Sequence, residues 1–598
     1  MRLGAWEAKM KALPSACFLL GWLAVFVAVA GEPAVVIERD VPAVMRDGIV
    51  LRGDVHRPDR GGPYPVLIWR TPYGKHKQHF DKYVSAGYIV VCQDVRGRYA
   101  SEGTWESWFC PQNHDAEDGY DTVQWASRLP GASGKVGTIG FSYSGFLQWR
   151  LAPLRPPALA AMSAHSIPAH YPDLEGPGTI RPGRRLRWSM VTITPEVRRR
   201  VNRPGTQTEA EAAALWDGGQ SQQWLQFLPW LNLPQEVFED DTEYVRYWLE
   251  HPQTDPWKLD AGCREISVPN LEVVGWYDHA KGDMLLQQTL VKEGKTKGAR
   301  KGSRLVVGPW SHFPPGGRKF GNIDFGPAAD LDLVGLDVRW FDYWLKGMRN
   351  GVDRDAPVRI FVMGDNCWRE EAAWPLKQAQ QKALYLTGNG LANTPAGNGR
   401  LSWQRPAAEG SDRYAYDPRD PVPTLFAPGN FTCATDQRPL SNRTDILVYQ
   451  TEPLSARVEA TGFPQVELYA ASSAPDTDWV LRLIDVSPDG LARDVCMGVM
   501  RARYHNGVDK PSLIKPGKVL KYMVRMSPTS NAFLPGHRIR LDVTSSDFPN
   551  YDRNHNTAAD QNADAELAVA QQQIHHGKAY PSRLILPWVP DQASGGGR

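Results

Sequence analysis

The chain has 598 residues, 22% of them charged and 42% hydrophobic, with 22 tryptophans and 48 prolines. That is too long for a single hydrophobic core, so two or three domains are expected. A formal net charge of +2 gives no footprint of a polyanion-binding protein and argues against nucleic acid as a partner.

The first thirty residues stand apart. Arg2, Lys9 and Lys11 precede an uncharged apolar run from Ala16 to Ala30, which ends Ala28-Val29-Ala30 ahead of Gly31-Glu32-Pro33. This reads as a secretory signal peptide over residues 1–30, with translation starting at Met1 or Met10. An uncleaved anchor is the rival, but the run is short for a membrane span. The expectation is a secreted or periplasmic protein with no stable membrane association. Removing the segment takes three basic residues and one acidic residue from totals of 68 and 66, leaving a neutral chain. Six cysteines remain, none in a metal-ligand spacing. Cys92–Cys110 and Cys433–Cys496 are candidate bridges.

From Glu32 onward the pattern is β. Tyr64 to Trp69 is a near-continuous apolar run, as expected of a strand covered on both faces. A second, Tyr88 to Gln93, follows a short helix (Phe80 to Ala86). Asp115 to Ala126 has helical spacing, and Val136 to Phe141 is a strand delivering Ser142. Ala158 to Ala164 reads as the next strand, stopping at His165. Strands alternating with helices predict an open, largely parallel α/β sheet, with ligands bound off the strands' carboxyl ends.

The alternation then ceases. Residues 166–258 are helical and loop-like, rich in aromatics (Trp188, Trp216, Trp224, Trp230, Trp248, Trp257), and read as a cap over the sheet. Some of these should line an apolar pocket. Thr242 to Leu249 is read as a helix with Tyr244, Tyr247 and Trp248 on one face. The arginine-rich stretch Arg181 to Arg203 is read as a solvated or salt-bridged surface rather than a site for acidic substrates. The sheet resumes with Ile266 to Val274, ending Gly275-Trp276-Tyr277-Asp278. Ser303 to Gly308 is another strand, with His312 just beyond it, and Leu333 to Lys346 closes the unit. Beyond residue 350 many short strands between Pro/Gly turns predict a jelly-roll β-sandwich. The expected division is 31–165 with 259–350 as the catalytic domain, 166–258 as the cap and 351–598 as the β domain.

The chemistry centres on Gly140-Phe141-Ser142-Tyr143-Ser144-Gly145. A glycine-flanked serine after an apolar strand marks a sharp strand-to-helix turn with an exposed hydroxyl. The strict five-residue pattern wants glycine two places after the serine, where this chain has Ser144, so the run alone is weak. Nucleophilic acyl transfer also needs a histidine to take the serine proton and a carboxylate to orient it. Ser142, Asp278 and His312 occur in α/β-hydrolase order, each at a strand's carboxyl end. Rival metal readings are weaker. His114-Asp115-Ala116-Glu117-Asp118 reads as a hydrated helix start. Asp552-x-Asn554-x-Asn556 lacks the glycine and the bidentate glutamate of a calcium loop. His575-His576 reads as surface.

These motifs resemble those of the cocaine esterase-like (CocE/NonD) hydrolases, a family related to X-Pro dipeptidyl peptidases and α-amino acid ester hydrolases. There the glycine does come three places after the serine. Thr71-Pro72-Tyr73 resembles the loop with the oxyanion-hole tyrosine. Gly275-Trp276-Tyr277-Asp278 resembles the acid motif, and Gly308-Pro309-Trp310-Ser311-His312 the histidine motif. Asp94-Val95-Arg96-Gly97 with Ser101-Glu102-Gly103, and Ser545-Ser546-Asp547-Phe548-Pro549 with Asp552-Arg553-Asn554, are further family-like runs. The resemblance implies an α/β-hydrolase core, helical cap and C-terminal jelly roll. It also implies catalysis by Ser142, Asp278 and His312, with Tyr73 and the Tyr143 N–H as the oxyanion hole and no cofactor or metal. Trp310, so near His312, is expected to bind substrate by walling the pocket, with plain core packing as the even alternative. The expected activity is hydrolysis of a small-molecule ester or amide. X-Pro dipeptidyl peptidase, α-amino acid ester hydrolase or cephalosporin acylase activity is the alternative, and an inactive binding scaffold the second. Asp173 and Glu175 are the candidates for a carboxylate cluster that would hold a substrate ammonium. Self-association is compatible with the sequence.

Overall fold

The run Val66-Leu67-Ile68 offers water no polar face, and the computed structural model buries all three side chains. The structure describes residues 34–590 except 109–112, 177, 235–242, 253, 279, 314–315, 394–396 and 427–432. The proposed signal peptide and Cys110 therefore lie outside the described residues.

Strands β1 (Val35–Val44), β2 (Val50–Pro58), β3 (Tyr64–Thr71), β4 (Ile89–Asp94), β5 (Ala132–Phe141) and β6 (Leu159–His165) form a sheet in the order β1-β2-β4-β3-β5-β6. β1, β2 and β4 pair antiparallel, whereas β4, β3, β5 and β6 run parallel. Parallel pairing requires crossovers, and helices α1 (Asp81–Ser85), α2 (Asp115–Ala126) and α3 (Tyr143–Leu151) supply them. β7 (Leu271–Gly275) and β8 (Arg304–Gly308) are parallel to each other. The cap separates them in sequence from β6, yet a parallel bridge between Met162 and Asn270 joins the two halves into one sheet. The buried Asn270 side chain completes that seam: its Oδ1 accepts the Ala164 N–H at 2.9 Å, and its Nδ2 donates to the Glu272 carboxyl at 3.2 Å.

The sheet also runs past the expected boundary at residue 350. Val358–Val362 pairs parallel with β8 and antiparallel with Cys367–Glu371. The all-β part begins with Gln380–Thr387, and its ladders are almost wholly antiparallel, as in Asp478–Val486 with Ala492–Arg501 and with Arg538–Thr544. Alternation in Arg540-Leu541-Asp542-Val543 puts Leu541 and Val543 in the jelly-roll core with Leu481 and Leu483. Cys433 and Cys496 are both free thiols, as is Cys92, so neither candidate bridge forms.

Helix Glu243–Glu250 does not carry its aromatics on one face. Trp248 is 1% exposed and packs edge-on against Tyr171 at 4.4 Å, while Tyr247 is 40% exposed and stacks on His251. Adjacent helical residues are about 100° apart, so the two rings diverge; the Tyr244 side chain lies outside the description. Other surface assignments also fail. His576 is buried against the Asp412 carboxylate at 3.0 Å. Asp115 and Asp118 at the start of α2 are buried too, Asp118 gripped by both forks of Arg96 at 2.9 and 2.6 Å. In the loop that begins like a calcium site, Asp552 receives Arg501 and Gln561 while Asn554 donates to Asp476 and Asp478.

Asn270→Ala strands a buried N–H and is expected to cost about 1–3 kcal/mol of stability, read as a lower midpoint in urea unfolding followed by tryptophan fluorescence.

Candidate active site

Ser142 occupies the turn between β5 and α3 with φ 57° and ψ −125°, a conformation that non-glycine residues rarely adopt. The surroundings enforce it. The Ser142 N–H donates to the His165 carbonyl at 2.9 Å, and the Ser144 hydroxyl donates to the Arg70 carbonyl at 2.7 Å. A Cβ on Gly140 would stand 2.6 Å from the Ser144 Cβ, and one on Gly145 2.6 Å from the His165 oxygen. Both glycines are needed because α3 folds back this closely over β5 and β6.

Asp278 and His312 follow the carboxyl ends of β7 and β8. Nδ1 of His312 lies 3.0 Å from each carboxylate oxygen of Asp278, and both side chains are almost fully shielded from solvent. A carboxylate only accepts, so Nδ1 carries the proton and Nε2 is left as the basic nitrogen. The rings of Phe141 and Phe313 flank the imidazole at 5.6 and 4.7 Å. Ser142 and His312 line the same cavity, of about 370 Å³. That volume suits a small molecule rather than a polymer.

Tyr73 lines this cavity, half-buried, and its hydroxyl accepts the indole N–H of Trp188 at 3.1 Å. Burial pushes its phenol up to about 12, so it stays a donor at neutral pH. Its loop is pinned by the family-like run after β4. Asp94 accepts the Lys75 N–H at 2.8 Å, and the buried Arg98 donates to the Pro72 carbonyl at 2.9 Å. The Tyr143 backbone N–H begins α3 beside Ser142, while its buried ring stacks on Trp108 at 4.5 Å.

Two expectations about the pocket need correcting. Trp310 does not wall it: the ring is 1% exposed, packs over Gly308, and donates its N–H to the Ala329 carbonyl at 2.9 Å. The walls are Trp69, Trp108, Phe141, Trp188 and Phe313, of which only Trp188 belongs to the cap tryptophans. The arginine-rich stretch, read as a solvated or salt-bridged surface, is not surface throughout either. Arg181, Arg184 and Arg185 are 6%, 7% and 1% exposed, and Arg184, Arg185 and Arg187 line the cavity. Asp173, considered as an ammonium ligand, instead pairs with Lys281 and is absent from the described lining; the Glu175 side chain is not described.

A second serine–histidine–aspartate grouping escaped the sequence reading. Ser163 Oγ lies 2.6 Å from His165 Nε2 and donates to Asp337 at 2.5 Å. All three are buried, and burial drives the His165 imidazole down to about 3. This grouping packs β6 against helix Leu333–Trp344 and presents no hydroxyl to the cavity described above.

Comparison with known proteins agrees with the geometry. The model for the X-Pro dipeptidyl-peptidase (S15) family matches residues 47–314, and that for the X-Pro dipeptidyl-peptidase C-terminal non-catalytic domain matches residues 350–585. Cocaine esterase from Rhodococcus sp. (strain MB1 Bresler) is 35% identical over 595 residues, covering 92% of this chain and 98% of that enzyme. The chain belongs to the cocaine esterase-like (CocE/NonD) hydrolases. It is a serine ester hydrolase with the α/β-hydrolase, cap and jelly-roll architecture of that family. Among solved structures, an aminopeptidase from the marine sediment archaeon Thaumarchaeota archaeon superposes with TM-score 0.77 at 25% identity, over 94% of this chain and 97% of that one. An α-amino acid ester hydrolase superposes with TM-score 0.75 at 24% identity, over 96% and 100%, and shares the fold.

Gly145→Ala drives a methyl group against the His165 carbonyl. It is expected to cost about 1–3 kcal/mol of stability and to lower ester turnover, checked by thermal unfolding alongside a p-nitrophenyl ester assay.

Proposed function

We propose that the enzyme cleaves small-molecule carboxylic esters through an acyl-enzyme on Ser142, with His312 as general base then acid and Asp278 as the orienting carboxylate. The observation carrying this is the His312–Asp278 pair at 3.0 Å, sharing one cavity with a serine held at positive φ. His312 Nε2 takes the Ser142 proton as Oγ attacks the ester carbonyl, and Asp278 stabilises the imidazolium that forms. Negative charge then builds on the carbonyl oxygen. The Tyr73 hydroxyl and the Tyr143 N–H meet it, the first with its proton free because its oxygen already accepts from Trp188. The imidazolium returns the proton to the leaving alcohol, and water, activated by the same imidazole, releases the acid. Each step is proton transfer or acyl transfer and requires no cofactor.

An aromatic-walled cavity favours substrates with a bulky apolar group beside the ester. Export by residues 1–30 belongs to the same reading. Among the described residues no helix is long and apolar enough to cross a membrane.

Ser142→Ala is expected to abolish covalent labelling by a fluorophosphonate probe, read by intact-protein mass spectrometry; persistent labelling would remove Ser142 from the mechanism. Tyr73→Phe deletes one oxyanion donor and is expected to lower kcat by about 100-fold with little change in KM, measured with p-nitrophenyl butyrate.

A further inference from the structure

Tyr73 and Trp188 stand 115 residues apart, and through them the cap meets the loop after β3. The indole N–H of Trp188 donates to the Tyr73 hydroxyl oxygen at 3.1 Å. A phenol has one proton and an indole N–H cannot accept it, so that proton points away from Trp188. Among the described residues the Tyr73 hydroxyl finds no acceptor for it. Tyr73 lines the cavity that Ser142 and His312 share, which leaves the proton for a carbonyl oxygen that enters.

The place of Trp188 is itself closely determined. It opens a widened helical turn, Trp188–Ile193, a distortion that helices keep mostly at functional sites. Both ends of that turn are tied to the Tyr73 loop. Trp188 reaches Tyr73 at one end. At the other, the buried Arg98, which holds the Pro72 carbonyl, also donates to the Ile193 carbonyl at 3.3 Å. Glu196, in the helix that follows (Thr194–Arg200), pairs with Arg98 at 3.1 Å and accepts the Tyr99 N–H at 3.0 Å. The Trp188 ring is set by stacking: it lies on Trp108 at 5.4 Å and 20°, and Trp108 lies on the Tyr143 ring at 4.5 Å and 10°. Tyr73 meets that same Tyr143 ring edge-on at 6.4 Å. One aromatic cluster thus joins the cap to both residues proposed to face the oxyanion.

Resting on the esterase reading above, we infer that Trp188 is a positioning residue of the reaction. It fixes the Tyr73 hydroxyl as a donor aimed at the oxyanion, so the oxyanion hole is complete only with the cap in place. Without the indole the phenol proton spreads over the orientations open to it, and part of the transition-state contact is lost. With it the direction is set before substrate arrives, and donation into the phenol oxygen polarises the O–H as well.

Trp188 also walls the cavity, and packing against substrate is the competing role. Trp188→Phe keeps a flat ring beside Trp108 and removes the N–H. With p-nitrophenyl butyrate its kcat is expected to fall by about 3- to 10-fold, the worth of one neutral hydrogen bond, with little change in KM. In the Tyr73→Phe background the same substitution is expected to leave kcat unchanged, because the oxygen it served is gone. Replacing Trp188 by 3-benzothienylalanine, in which sulfur stands for the N–H in a ring of the same shape, is expected to give the same split and serves if the phenylalanine variant does not fold. A ring acting only as a wall raises KM, or costs as much with Tyr73 absent as with it present. Either of those results, or an unchanged kcat in the single variant, overturns the inference and leaves the esterase reading intact. If Tyr73→Phe alone leaves kcat unchanged, Tyr73 drops out of the esterase reading and the inference falls with it.

Discussion

The structure depends on a backbone conformation that L-amino acids avoid. At φ 57° Ser142 carries a strain of about 1–3 kcal/mol, retained because the neighbouring backbone leaves no relaxed alternative. The His165 carbonyl accepts the Ser142 N–H from β6, the Ser144 hydroxyl ties the first turn of α3 to β3, and two glycines permit the contact. Three adjacent strands are thus needed to aim one hydroxyl. The same turn sets the Tyr143 N–H, so the Ser142 hydroxyl and that N–H, the nucleophile and oxyanion donor proposed above, are held by one piece of backbone.

The opposite side of the site is secured from the jelly roll. Tyr277, next to Asp278, donates its hydroxyl to the Asp494 carbonyl at 2.6 Å, while Trp276 donates at 2.8 Å to the Phe361 carbonyl of the strand paired with β8. Arg493 reaches the Tyr277 oxygen while held by Asp485 and Asn531. Near Asp278, Glu272 and Asp283 are both fully buried, and burial raises both well above the usual carboxylate range. Their oxygens accept the Ser166 and Ile167 N–H groups, fixing the turn after β6. The Asp278 loop, the Ser142 turn and the C-terminal domain are therefore joined by one continuous set of polar contacts, so the β domain braces the loop that carries Asp278.

The strands and the order of Ser142, Asp278 and His312 were legible because each is local: apolar runs of strand length, each followed by a loop with one chemically distinctive residue. What was not legible depends on where the chain returns in space. Trp310 lies two residues before His312 in sequence, but the backbone bend there turns its ring into the core beside Trp368. Asp115, Asp118 and His576 look solvated by composition and are buried because Arg70, Arg96 and Asp412 arrive from other elements to meet them. Asp94 stood out only through family likeness and Arg98 not at all; their bracing of the Tyr73 loop needs coordinates. Composition changes near residue 350, yet the next strand still has β8 as its neighbour, a pairing that only the return of the chain in space reveals.

The arginine-rich stretch shows why a whole-chain charge says little about a site. Net charge averages over a surface where ions pair and water screens within about 8 Å at physiological salt. Arg184, Arg185 and Arg187 nevertheless line one cavity walled by indole and phenyl rings. Helical spacing of the run gave no hint of this, since its C-terminal members, Arg199, Arg200 and Arg203, are exposed as expected. The division falls between residues 187 and 198, where the helix passes through a wide turn, Trp188–Ile193, and changes the face it presents. The first part of the helix follows the active site and the last follows the solvent.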